Sequence, residues 1–195
     1  MMRKVLVILL LYWGIGGCAR TVTPEVQANL PNLYDRRPGV VALKDEQIEI
    51  NARSLLNADE NLALHSHVNV HAFNGKILVT GEVSDEQQHQ ALIEQLRNLP
   101  EVTQVNDELD VSTVLDPSVY LLDSTITNRV RTELDKITEP NGFNPNNIKV
   151  ITEAGVVYLL GLVYRDEADV VTRVTQQVEG VQQVVKLFEY FKENN

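Results

Sequence analysis

Two sets of residues in this chain of 195 have types and spacing that could do chemistry. The first is His65, His67 and His71, all on odd positions of one segment, so a regular strand would present them on one face. Imidazoles so arranged could hold a transition metal. Val68 and Val70 supply the opposite, buried side, and the expectation is a solvated strand face with no metal. The second set is Thr125, Arg129, Thr132 and Lys136, spaced i, i+4, i+7 and i+11 along a helical pattern, with Arg131 off to one side. Such a stripe could bind phosphate groups, with Tyr120, Leu121 and Leu122 just before it as an apolar wedge for a headgroup region. The competing reading is an ordinary solvated face in which Glu133 pairs with Arg129. No Gly-rich phosphate loop, nucleophile elbow, Cys/His zinc pattern or His-Glu-x-x-His appears. No catalytic residue and no cofactor is expected, and the chain is read as a non-enzyme.

The single thiol, Cys18, stands apart. Arg3 and Lys4 precede an apolar run from Val5 to Trp13, which Ile15-Gly16-Gly17 closes with small residues, the layout of a secretory signal. The run is too short for a permanent span of roughly 20 apolar residues. A cysteine after small residues at such a run's end resembles the lipobox of bacterial lipoproteins, where it is lipidated and becomes the new N-terminus. Ala19 in place of Asp implies, by the same resemblance, the outer membrane. Pro24, Pro31 and Pro38 then punctuate a stretch without apolar period, read as a tether over 18–40. Extended at about 3.1 Å per residue, it would reach roughly 70 Å.

What must position the polar sets is a strand pattern that occurs twice: Gly75-Lys76-Ile77-Leu78-Val79-Thr80-Gly81-Glu82-Val83 and Gly155-Val156-Val157-Tyr158-Leu159-Leu160-Gly161-Leu162-Val163. Both alternate with the period of two of a half-buried strand, each behind a turn glycine. The flanks repeat too. Asp45 is read as capping a helix with Ile48, Ala52, Leu55 and Leu56 inward, and Asp123 one with Ile126, Val130, Leu134 and Ile137. Short strands follow at 67–71 and 148–152. Ser84 with Gln87 looks like a capping box before Leu92, Leu96 and Leu99, and a helix from Asp166 carries Val171, Val174 and Val178. Strands at 104–111 and 182–190 close the units. The fold expected is α+β: two tandem αββαβ units, each with two helices on one face of a three-stranded sheet.

An αββαβ unit with this strand motif resembles the BON domain, and two of them behind a lipobox resemble the dual-BON outer-membrane lipoproteins. The implied boundaries are a signal peptide over 1–17, lipidated Cys18 and tether to 40, a first domain over 41–113, a linker over 114–118 and a second domain over 119–191. The resemblance implies a lipoprotein facing the periplasm that maintains envelope integrity, binds anionic phospholipid and gathers at division sites.

Charge decides which unit could meet such a membrane. Residues 41–113 hold 4 Lys/Arg against 13 Asp/Glu, a net of −9, whereas 117–195 hold 8 against 11, a net of −3. The first unit is repelled by an anionic surface, so lipid contact falls to the second, and nucleic acid is disfavoured throughout. The alternative is an adaptor for cell-wall or barrel-assembly machinery, with envelope proteins as partners and no lipid contact beyond its own anchor. One packing expectation follows from the strands. Val156, Tyr158, Leu160 and Leu162 are all apolar on the side facing away from the helices, and continuous apolar runs mean burial on both faces. The nearest cover is the first unit's open face near Phe73 and Leu78.

Overall fold

The computed structural model describes residues 36–191; the signal segment, Cys18 and the tether up to residue 35 lie outside the described residues. The first unit runs α1 (Gly39–Ala58), α2 (Glu60–His65), β1 (His67–Phe73), β2 (Lys76–Val83), α3 (Glu86–Arg97) and β3 (Gln104–Val111). The second runs α4 (Pro117–Leu134), a 3-10 turn (Pro145–Asn147), β4 (Ile148–Glu153), β5 (Val156–Val163), α5 (Arg165–Gln176) and β6 (Gln183–Tyr190). In each sheet the signature strand is central, antiparallel to the strand before it and parallel to the strand after α3 or α5. Helices cover one face of each sheet over separate cores, Ile48, Ile77, Val79 and Leu96 in one and Val130, Val157, Leu159 and Val171 in the other.

Several expected boundaries move, and each has a local cause. Asp45 and Asp123 do not start their helices. Both are buried inside them, where the carboxylates accept the turn amides of Asn74 and Gly75, and of Ala154 and Gly155, all at 2.8 Å. Those turns have φ of 53° and 74° in one copy and 48° and 79° in the other, the left-handed pair of a two-residue hairpin loop. The helices begin earlier, α4 behind Asp116, whose carboxylate accepts from Ser118 N–H at 2.8 Å. The connector between β3 and α4 spans 112–116. Asp85, not Ser84, caps α3, accepting from Gln88 N–H at 2.8 Å while Ser84 Oγ turns to the Gln88 side chain. An unexpected short helix, α2, is capped by Asp59 and carries His65 at its end, off the strand.

The two open sheet faces pack on each other, so the order of layers is helix, sheet, sheet, helix. Phe73, Leu78, Tyr158 and Leu160 form one buried cluster between the sheets, with Leu162 packed against it. Thr80 and Glu82, the polar members of the first face, are buried as well. β2 and β5 run in opposite directions across this seam: Lys76 at the start of β2 meets Glu189 at 3.0 Å, while Thr80 further on meets Glu153, just before β5, at 3.0 Å. Superposing Gly155 on Gly75 makes Phe73 equivalent to Glu153, and Thr80 to Leu160. The contact Thr80–Glu153 and the neighbourhood of Phe73 and Leu160 are therefore the same contact seen from opposite ends of an approximate twofold. A Cβ on Gly81 would lie 1.8 Å from the His67 carbonyl oxygen, so β1 approaches β2 there as only glycine allows.

Candidate functional site

The structure separates the two polar sets. At about 100° per residue along α4, Leu121, Thr125, Arg129, Thr132 and Lys136 fall in one sector, with Leu122 at its edge. This face points away from the first unit. Leu121 and Leu122 are 71% and 61% exposed, the apolar tip of a helix layer that is otherwise polar. The stripe's donors are engaged locally: Arg129 gives hydrogen bonds to the Glu179 carbonyl at 3.1 Å and meets its carboxylate at 3.4 Å, and Lys136 pairs with Glu133 at 2.6 Å. Glu133 thus pairs with Lys136, not with Arg129 as the competing reading of a solvated face had it. Thr125 and Thr132 hydroxyls return to the carbonyls of Leu121 and Asn128. All these ion pairs are at the surface, where a pair contributes about 0–1 kcal/mol and gives way easily to a phosphate.

Tyr120 leaves the expected wedge. Its ring stacks on His67 with centroids 3.8 Å apart, and its hydroxyl donates to Glu82 at 2.8 Å. Phenol and imidazole belong instead to a polar cluster in the seam, around the buried Glu153. That carboxylate accepts from Asn69 and Thr80, each at 3.0 Å, and meets His67 Nε2 at 3.3 Å. Burial pulls the Glu153 carboxyl up, but hydrogen bonds from His67 and Asn69 outweigh it and hold the group below its ordinary value. The same bond to Glu153 raises His67. His71, on the same strand face, behaves oppositely: burial and then the Lys149 charge push it down to about 4. The expectation of a solvated histidine face fails at His67 and His71, which the second unit covers, while His65 is exposed. Among the described residues no three metal-ligating side chains converge.

At the other end of the seam a cavity of about 430 Å³ opens between the units, lined among others by Arg37, Phe73, Arg131, Leu134, Asp135 and Lys149. Lys149 Nζ is bound to Glu49 at 2.5 Å and to the Ala72 carbonyl at 3.3 Å, and Arg37 pairs with Asp45 and lies 3.8 Å from the Phe73 ring centre. The segment leading from the tether is fixed here too. Arg36 makes a two-pronged pair with Glu167 of α5, at 2.5 and 2.6 Å, beside the stacked rings of Tyr164 and Phe191. Reasoning from sequence missed the cluster and the cavity, since both are assembled from residues far apart in the chain and drawn from both units; the unbroken apolar face of β5 was the one signal that a second layer had to lie there.

Comparison with known proteins adds to this geometry. The family description "BON domain" matches residues 44–113 and 122–190. The chain is 25% identical over 174 residues to the outer membrane lipoprotein DolP of Haemophilus influenzae, covering 89% of each chain. It is 28% identical over 156 residues to the 21 kDa hemolysin of Actinobacillus pleuropneumoniae, covering 80% of this chain and 79% of that one. Among solved structures, the C-terminal domain of CdsD from the type III secretion system of Chlamydia trachomatis is similar at 16% identity and a TM-score of 0.30, covering 76% of this chain and 67% of that one.

Proposed function

Because the chain belongs to the BON domain family in both of its units, we propose that it is a non-enzymatic outer-membrane lipoprotein, anchored through Cys18 and facing the periplasm, that maintains envelope integrity by binding anionic phospholipid through its second domain. Its similarity to the outer membrane lipoprotein of Haemophilus supports the location. The observation that carries the lipid reading is the exposed face of α4, which carries Leu121 and Leu122 near its start and Arg129 further along, with Lys136 just past its end in the same sector. The second sheet is already used by the seam, which leaves the helix layer as the surface for a membrane. Shallow insertion of two leucines with nearby cations, each adding about 1 kcal/mol near an anionic surface, suits reversible and salt-sensitive contact. Concentration at division sites belongs to the same reading. No helix among the described residues is long and apolar enough to cross a membrane.

Sedimentation of the chain from Ala19 onward, without the signal segment and Cys18, with phosphatidylglycerol vesicles tests it. Binding should fall as salt rises and weaken when Arg129 and Lys136 are both changed to Glu. Binding that ignores those changes would move the site elsewhere. No binding by the parent would favour the adaptor, for which the exposed Leu43 and Ile50 on α1 are the surface to test.

A further inference from the structure

The cavity between the units has a charge balance that the lipid-facing stripe does not share. Of its charged lining groups, Arg37 is held by Asp45 and Lys149 by Glu49. Two remain. Arg131 and Asp135, four residues apart at the end of α4, carry no side-chain hydrogen bond or ion pair with any described residue, although both line the same space. The order cation then anion is the less favourable one along a helix, and a carboxylate at a helix C-terminus opposes the macrodipole, so Asp135 stabilises α4 by neither route. Around the two charges the lining is apolar and fixed: Phe73, Leu134, Ile148 and Val150 are all buried against the two cores or the seam. Asn146 and Asn147 add side-chain amides at the edge. The volume lies in the range of small-molecule sites, and a few converging polar groups over an apolar floor are their usual composition.

We propose that this cavity binds a small amphiphilic zwitterion, its anionic group on Arg131, its ammonium on Asp135 and its apolar part on Phe73, Leu134 and Ile148. A planar guanidinium takes a carboxylate or a phosphodiester with two parallel hydrogen bonds, and the neighbouring carboxylate disfavours a ligand that brings negative charge alone. Two sources carry this chemistry, an apolar amino acid or short peptide and an ethanolamine phospholipid. The site is distinct from the face assigned to the membrane, since Arg131 lies about 200° around α4 from Arg129. Arg37 at the rim also ties occupancy to the seam, because the cavity exists only while the two units are packed together.

The experiment is an NMR titration of the chain from Ala19 onward, without the signal segment and Cys18, read at the amides of residues 146–150 and the Arg131 side chain. The probes are L-leucyl-L-leucine, dihexanoylphosphatidylethanolamine and dihexanoylphosphatidylglycerol, each below its aggregation threshold. At least one of the two zwitterions should bind about tenfold or more tightly than the phosphatidylglycerol, and the tighter one identifies the source. Asp135→Asn should remove that preference, and Arg131→Gln should weaken the zwitterion about tenfold or more, as loss of a charge-assisted pair requires. Both positions are exposed, so the variants keep the fold. Equal binding of phosphatidylglycerol and both zwitterions, indifference to Asp135→Asn, or silence of residues 146–150 with every probe would overturn the proposal. Vesicle sedimentation of the same Arg131→Gln protein should be unchanged, which separates this cavity from the membrane face.

Discussion

Leu160→Lys places a charge in the seam between the two sheets. Leu160 is 3% exposed, sits in the cluster with Phe73, Leu78 and Tyr158, and pairs in register with Lys149. Replacing it removes roughly 2–3 kcal/mol of apolar burial. An ammonium without a carboxylate adds about 3–5 kcal/mol, and Glu49, the acid held by the neighbouring Lys149, is already paired. Together the change approaches the whole stability of an ordinary domain, about 5–15 kcal/mol. The least costly escape is for the units to part, each keeping its own core. Tyr158 reports on this directly: burial, then the charges of Glu108 and Glu153, push its hydroxyl up to about 12, and in separated units it should return towards the usual 10. The assay is an ultraviolet phenol titration against a Tyr158→Phe control, with urea unfolding followed by circular dichroism. Leu121→Lys, at an exposed position, should change stability by no more than about 0.5 kcal/mol. If Leu160→Lys unfolds at the parent's urea midpoint and leaves Tyr158 titrating near 12, the sheets are not held together as argued.

The two seam histidines should give opposite pH dependences. His67 has a raised folded value through its bond to Glu153, so its contribution is complete below about pH 6.5 and is lost as pH rises through that raised value; His67→Gln should flatten the loss. His71, held down to about 4, is neutral in the fold, and acidification from about pH 6.5 to 4 should remove up to about 3 kcal/mol that His71→Leu retains, by urea unfolding at each pH. Tyr120→Phe leaves the buried Glu82 carboxylate without its 2.8 Å donor and should cost about 1–3 kcal/mol, which an unchanged melting temperature would contradict. Cys18→Ser should leave an unprocessed or mislocalised precursor in fractionated cells, and mature protein still in the outer membrane would show that the thiol is not the anchor.

What was legible in the sequence followed periodicity. The two signature strands, the helix faces of Ile48 and Ala52 or Val130 and Leu134, and the apolar outer face of β5 are all local patterns, and the structure places them in sheets and cores as such patterns dictate. Acids were misread because an Asp before an apolar helical run looks like a cap whichever way its carboxylate turns. Asp45 and Asp123 turn across to hairpin amides about 30 residues away, which no local rule shows. Tyr120 and His67 looked like surface groups for the same reason, since their partners Glu82 and Glu153 become neighbours only once the sheets meet. The stripe on α4 could be placed from spacing, but not that Glu179, from the turn after α5, would occupy Arg129.

The approximate twofold at the seam carries a rule about which copies can associate. Phe73 faces the region of Leu160, and Glu153 faces Thr80. If two second units met through the same surface, each would set Glu153 against Leu160, burying a carboxylate with no donor opposite. Two first units would set Phe73 against Thr80, leaving its hydroxyl without an acceptor. Both like-with-like pairings are penalised, the first by several kcal/mol, while the unlike pairing satisfies both ends. The surface therefore works as a lock with two keyed halves, and the connector at 112–116 keeps the matching half at high effective concentration. Should the halves part under load, the only partner either would accept from another molecule is its opposite number, so any assembly through this surface must proceed by exchange of units, head to tail, and never by pairing of equals.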